Sequence, residues 1–418
     1  MQMVWTPLDY VTSASFLISQ RLQLAPSWLF PALAAWTLPF VWIGVAMSAR
    51  RAVDAGRSAW LAVLFFVPVI NYVLMVALCV APSVARESAA EPAWAEGPRL
   101  SAALLSAAAG ALVGITMIVV SVSVLNTYGT ALFFGAPFVM GALTAFLFNR
   151  RRHATSAETN SVVLVMFLAV AGTTLLAGWD GAVCILMALP LALVAGFMGA
   201  TLGRAIARGS HTPDLPPSIA VMLILPMWAA TESSSITRPI VHEVQTSVDI
   251  AAPPDLVWPH VIAFAPITEP PDLLFRLGIA YPERADLVGE GVGAIRYCRF
   301  STGPFVEPIT VWEPGRRLSF DVTESPAPMR ELSLYAGIHP PHLDHILRSR
   351  RGEFRLVPRA TGGTRLEGST WYEVTMAPEA YWQVISDALI HRIHERVLDH
   401  IKNEVERERT PRPIGGRE

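Results

Sequence analysis

The first 240 residues read as long apolar runs separated by short polar breaks. Trp28–Met47 is the first run, and Trp60–Val80, interrupted by Pro68 and Asn71, the second. Ser101–Leu125, Thr130–Phe148, Val162–Trp179 and Ala182–Leu202 follow. Ile219–Ala230 is shorter and is preceded by Pro216-Pro217. About 20 mostly apolar residues cross a bilayer core. The pattern therefore predicts six spans and a seventh that crosses only with help from its flanks. Six such runs are too many for a soluble core.

Beyond the polar tether Thr231-Glu232-Ser233-Ser234-Ser235 the period changes. Residues 243–250 alternate, which predicts a strand. Ala252-Pro253-Pro254-Asp255 opens a helix, and Pro270-Pro271-Asp272 a second short one. Six strands are predicted next, over 285–289, 293–301, 305–312, 317–323, 352–358 and 364–374, with Gly- and Pro-rich turns between them. Pro378 precedes a long helix whose apolar ridge is Ile385, Leu389, Ile393, Val397, Ile401 and Val405. A curved antiparallel sheet must bury one face, and this helix is the available cover. A sheet curled around it leaves a cavity between them. The long connection 324–348, with four prolines, is a candidate lid.

The fold class is thus multi-domain: an all-α polytopic membrane domain followed by an α+β domain. The expected boundaries are 1–82 and 101–230 for membrane segments around a loop at 83–100, then a linker at 231–241, the α+β domain at 242–409 and a disordered tail at 410–418.

Charge supports the division. Residues 1–240 hold 21 of the 66 Asp, Glu, Lys and Arg, and the rest hold 45, which is the density of a soluble domain. The net charge is +3 for the first part and −5 for the second, too little basic excess for nucleic acid. Cys79, Cys184 and Cys298 show no metal or disulfide spacing. Arg-rich loops favour the cytoplasm. Placing the Arg150–Arg152 loop and the Arg204/Arg208 loop inside puts the C-terminal domain outside if seven spans cross. The same count puts the Arg50, Arg51 and Arg57 loop outside, against the rule. Either the Pro68/Asn71 segment does not cross once or the seventh run does not cross.

The loop Ala49-Arg50-Arg51-Ala52-Val53-Asp54-Ala55-Gly56-Arg57-Ser58-Ala59-Trp60 resembles the signature of domain of unknown function 805, a family of small bacterial inner-membrane proteins. Arg50, Arg51, Asp54, Gly56, Arg57, Ser58 and Trp60 carry the resemblance, and Ala52-Val53 and Ala59 depart from it. The motif suits an interfacial turn, with Gly56 at a positive φ, Asp54 paired to Arg50 or Arg57, and Trp60 at the membrane–water interface. The Arg cluster is either a topology anchor or an anionic-lipid contact. Asp180, in Gly178-Trp179-Asp180-Gly181, reads as a turn residue.

The second part resembles the SRPBCC superfamily of START-like lipid-transfer, pollen-allergen-like and polyketide cyclase/dehydrase-like proteins. The carrying residues are Ala251–Trp258, Gly289-Glu290-Gly291-Val292-Gly293, Val311–Phe320 and Gly363–Tyr372. The resemblance implies a helix-grip fold and a cavity for a hydrophobic ligand. It does not choose between carriers, enzymes and regulatory domains.

Cavity-lining candidates are Trp258, Tyr297, Phe305, Trp312, Trp371, Trp382, Ile385, Leu389 and Ile393. Acid/base candidates are His391, His394 and Tyr372. His339, His342, Asp344 and His345 could offer metal ligands, but a Pro-Pro step extends the chain between the first two, and no metal or other cofactor is expected. The expected role is a membrane-anchored protein, in a bacterial inner membrane, that binds a lipid-, isoprenoid- or polyketide-like ligand near the bilayer. Its partners are then the lipid bilayer and that small molecule, not nucleic acid. A cyclase- or dehydratase-like enzyme and a non-catalytic assembly or regulatory protein are the alternatives.

Overall fold

A computed structural model describes residues 43–45, 47–66, 70–84, 99–150, 154–209, 218–234, 240–335, 340, 343, 347–360 and 362–409. The chain forms two compact units, one helical and one α+β.

In the helical unit, residues 47–54 are helical and lead into a 3-10 segment, Ala59–Phe66. Helices α1 (Ile70–Val80), α2 (Arg99–Ile118), α3 (Ala136–Asn149), α4 (Ser156–Leu176), α5 (Ala182–Gly209) and α6 (Ser218–Ser234) follow. A π-helical stretch, Val119–Val124, extends α2, and another, Ala131–Gly135, leads into α3. Four stretches are long and apolar enough to cross a membrane: Leu100–Val124, Ala131–Asn149, Ser156–Leu176 and Ala182–Arg208. They make this a membrane protein. Most of the first predicted run lies outside the described residues. The second run is not one helix. Its described parts are the 3-10 segment and α1, separated by residues 67–69 around Pro68.

Local signals explain the helix ends. Thr155 Oγ1 accepts from Glu158 N at 3.2 Å and Glu158 Oε2 accepts from Thr155 N at 2.7 Å, a reciprocal cap that starts α4. Glu232 of α6 accepts from the Thr130 and Ala131 amides, both at 3.0 Å, and supplies partners to donors that a helix start leaves free. Small residues set the closest approach. A methyl group on Gly199 would overlap the Phe138 carbonyl, and one on Gly203 the Ala142 carbonyl. Without a hydrophobic drive between helices in lipid, such backbone contact is the source of packing energy. Gly203→Leu should therefore separate α5 from α3. Fluorescence-detected size exclusion of the detergent-solubilised variant should show loss of the monodisperse peak, whereas Gly172→Leu, which meets open space, should keep it.

The α+β unit holds β1 (Val241–Ile250), α7 (Pro254–Ile262), α8 (Leu273–Arg276), β2 (Pro282–Val288), β3 (Ile295–Phe300), β4 (Gly303–Glu313), β5 (Arg317–Asp321), β6 (Leu347–Pro358), β7 (Thr364–Val374) and α9 (Glu379–Arg409). The seven strands form one antiparallel sheet in the order β1-β7-β6-β5-β4-β3-β2. Helix α9 lies against β1 and β7. Ile250, Val257, Leu318, Leu366, Leu398 and Ile401 form the centre of the core. This is the helix-grip arrangement.

The first half of the long connection is pinned rather than free. Ala280 N donates to Pro328 O at 2.9 Å, Arg330 N to Gly278 O at 2.8 Å, and Thr302 Oγ1 to Ala327 O at 2.7 Å. β6 also begins at Leu347, ahead of the expected Gly352, with a register shift between Ser349 and Arg351.

Candidate functional site

Between the sheet and α9 lies a cavity of about 110 Å³. Arg296, Cys298 and Phe300 of β3, Phe305 and Glu307 of β4, and Phe320 of β5 line one side. Gly352 and Phe354 of β6, Gly368 and Thr370 of β7, and Ile390, Ile393, His394, Val397 and Leu398 of α9 form much of the rest, and Val322, Ser349, Arg351, Glu353 and Ser369 also contribute. Two glycines make the room. A side chain at Gly352 would occupy the place of the Phe320 ring, and one at Gly368 would fill space against Leu398 and Phe354.

One buried ion pair stands in this apolar wall. Arg296 and Glu307 face each other directly across β3 and β4, are 2% and 5% exposed, and are joined through Arg296 Nη1 and Glu307 Oε2. Arg296 Nε donates to Ile262 O at 3.1 Å. The rings of Phe264, Phe320 and Phe354 surround the guanidinium at 5.7, 5.3 and 5.6 Å. Burial alone would push Arg296 down, but the Glu307 carboxylate outweighs it and holds the guanidinium charged. Burial pushes the Cys298 thiol up to about 12, so it stays protonated.

A polar column runs along the α9 side. Thr370 Oγ1 lies 2.8 Å from His394 Nε2, and Thr246 Oγ1 lies 3.1 Å from His394 Nδ1 and 2.7 Å from His391 Nδ1. Burial, and then the neighbouring His391, lower the His394 pKa to about 4. His394 is therefore a neutral imidazole at pH 7, with a hydroxyl at each nitrogen. Further along, Tyr372 Oη donates to Asp387 Oδ1 at 2.6 Å, and His242 Nε2 lies 2.8 Å from Glu379 Oε1. Burial raises both Tyr372 and Asp387.

Of the three acid/base candidates, His394 lines the cavity. Tyr372, 0% exposed, bonds to α9 beyond it, and His391 is exposed. Phe305 and Ile393 line the cavity as well. Trp258 and Trp312 pack edge to face at 5.6 Å in the core. Tyr297 and Trp371 alternate to the other face of the sheet, where Arg351 lies 4.7 Å over the Trp371 ring. Trp382 packs edge-on to Tyr381 at 5.3 Å. Ile385 and Leu389 are half-buried and outside the lining. The fourfold ridge turns by about 40° at each step of a 3.6-residue helix, so its first members leave the cavity face, Ile393 and Val397 stay on it, and Ile390 and Leu398 join them.

His339, His342, Asp344 and His345 lie outside the described residues. Asp180, Cys184 and Glu331 bring one ligand atom each within 4.8 Å of one another. Cys184 Sγ donates to Glu331 Oε1 at 2.6 Å, which requires a protonated thiol, whereas a metal takes the thiolate.

In the Arg-rich loop, Gly56 has φ +68°. Arg51 donates to Ala81 O and, at 3.0 Å, to Ser83 Oγ. Asp54 acts through its backbone carbonyl, which accepts from Val84 N at 2.8 Å. The expected ion pairs from Asp54 to Arg50 or Arg57 do not occur among the described residues. Trp60 packs with Ala49, Phe146 and Leu202.

Two family matches fit these units. Residues 2–89 match a family described as a protein of unknown function (DUF805), and residues 241–406 match polyketide cyclase / dehydrase and lipid transport. No curated protein matches the chain. Among solved structures, a norcoclaurine synthase point mutant from Thalictrum flavum is 15% identical over 42% of this chain and 99% of its own, with a TM-score of 0.29. The Zhui aromatase/cyclase from Streptomyces sp. R1128 is 18% identical over 42% and 99%, with a TM-score of 0.28. Protein MLL2253 from Mesorhizobium loti is 17% identical over 40% and 98%, with a TM-score of 0.26.

Proposed function

We propose that the protein is a multi-pass protein of a bacterial inner membrane whose C-terminal domain binds a hydrophobic ligand beside the bilayer. The observation that carries this reading is the cavity itself, a chamber walled largely by apolar side chains, with a few polar groups, among them the Arg296–Glu307 pair and Thr370 backed by neutral His394. An apolar pocket with a few placed polar groups is the usual form of a small-molecule site. At about 110 Å³ the chamber suits one ring or the end of a chain. Drug-sized ligands occupy roughly 300–1,000 Å³, so a lipid, isoprenoid or polyketide would insert one end and require α9 or the sheet rim to move for the rest. Tethering keeps the domain at high effective concentration near a membrane-dissolved ligand.

The test is native mass spectrometry of the full-length protein in detergent, with solvent extraction of any adduct. A reproducible apolar adduct, reduced at least tenfold in Ile393→Trp, supports the reading. An adduct retained unchanged when that bulk fills the chamber, or no binding across a panel of apolar ligands, overturns it.

The enzyme reading rests on the same His394. Its two nitrogens are already engaged by Thr246 and Thr370, so proton transfer to a ligand would run through the Thr370 hydroxyl. Thr370→Val should then abolish turnover of any substrate found while leaving binding within a few-fold.

A further inference from the structure

The described helix ends of the membrane unit sort to two sides. The Arg204 and Arg208 side chains at the end of α5 donate to Ala154 O, at 3.0 and 2.9 Å, just before α4. Asn149, closing α3, donates to Thr159 Oγ1 of α4 at 3.0 Å. Gly110 of α2 faces Thr144, and Gly114 faces Met140, so α2 runs antiparallel to α3 and its Arg99 end lies at the same side. Ala49, Ala59 and Ala62 pack with Phe146, Leu202 and Ile206, which brings the Arg50–Arg57 loop there too. Glu232, bonded to the amides of Thr130 and Ala131, marks the other side.

The Pro68/Asn71 run does not cross. Arg51 holds Ala81 O and Ser83, and the Asp54 carbonyl holds Val84 N, so the chain enters after Ser58 and is back at the same side by residue 81. Eight residues of 3-10 helix and eleven of α-helix each rise about 16 Å, half of a core about 30 Å thick. The conflict in the span count disappears. Arg50, Arg51, Arg57, Arg99, Arg150, Arg204 and Arg208 share one side, and loops 125–130 and 177–181 on the other contain no Lys or Arg.

Arginine-rich loops stay in the cytoplasm. α6 ends on the opposite side, at Ser234, and β1 begins at Val241. The six residues between them, seven Cα-to-Cα steps, reach at most about 25 Å, too short to recross the core. We infer that the chain enters the membrane from the cytoplasm at residues 58–84 only as a half-crossing hairpin, and that its helix-grip domain stands on the non-cytoplasmic face. Whatever the cavity takes is then drawn from the outer leaflet or the space beyond it.

The test uses the full chain with Cys79, Cys184 and Cys298 replaced by Ala and one cysteine introduced at a time. Ser58→Cys, Val84→Cys and Glu290→Cys are treated with a membrane-impermeant maleimide in spheroplasts and in inverted vesicles. A C-terminal alkaline phosphatase fusion of the unaltered chain gives a second reading. Labelling of position 290 in spheroplasts, of 58 and 84 only in inverted vesicles, and an active phosphatase are expected. Protection of 290 with a silent phosphatase overturns the assignment of the domain. Labelling of 58 and 84 from opposite sides overturns the hairpin. Neither outcome depends on whether the cavity binds a ligand.

Discussion

Glu307→Leu should lower the melting transition of the C-terminal domain by on the order of 10 °C, measured by calorimetry of the full-length protein. The substitution leaves the Arg296 guanidinium, 2% exposed, charged and without its carboxylate. Removing one partner of a buried ion pair costs about 3–5 kcal/mol, because the remaining charge has lost its compensation. At roughly 2–4 °C per kcal/mol for a domain of this size, the shift is large enough to read directly. The double variant Arg296→Met/Glu307→Leu should recover most of the loss. Met places an apolar chain among Phe264, Phe320 and Phe354, and two well-packed apolar groups are often no worse than the pair. A double variant as unstable as the single one would mean that the rings and the Ile262 carbonyl, not Glu307, account for the stability at Arg296.

This pair also shows how far the sequence could be read. The seven strands and the closing helix are legible because alternation and turn residues are local. The cavity is not, because it depends on which side chains meet across strands. Even so, the hairpin Ser301-Thr302-Gly303-Pro304 fixes Phe300 opposite Gly303, and counting back along both strands places Arg296 opposite Glu307. A charged residue in phase with Cys298 and Phe300 was the available signal, and scattered acids concealed it. Trp371 and Tyr297 fell on the other face for the same reason: strand parity has to be anchored before aromatics are assigned inward. Along α9 a strict fourfold ridge drifts around the helix, so its middle members reach the cavity and its first ones do not. In the membrane unit, hydropathy marks the long spans but leaves open whether the segment around Pro68 crosses. The hydrogen bonds that join Arg51 and Asp54 to residues 81–84, on which the inferred return rests, link positions about thirty apart.

The pH dependence of stability should separate His394 from every other titrating group. Its folded pKa of about 4 lies below the ordinary histidine value of 6.5, so the unfolded chain binds the proton more tightly. Its contribution is then fully present above pH 6.5 and is lost as pH falls from 6.5 through 4. The shift corresponds to about 3 kcal/mol. Groups facing it oppose or modify this. His391 and Asp387 lie on α9, and Arg296 and Glu307 across the cavity. Asp387 and Glu307, both raised by burial, gain protons more readily in the folded state and act in the opposite sense. The informative quantity is therefore the difference between wild type and His394→Asn, which keeps a hydrogen-bonding group near Thr370. Between pH 7.5 and 4.5 the wild-type domain should lose several degrees more of melting temperature than the variant. Equal slopes would mean that His394 is protonated in the fold or open to water, and the chamber would then lose the neutral imidazole on which its ligand chemistry rests.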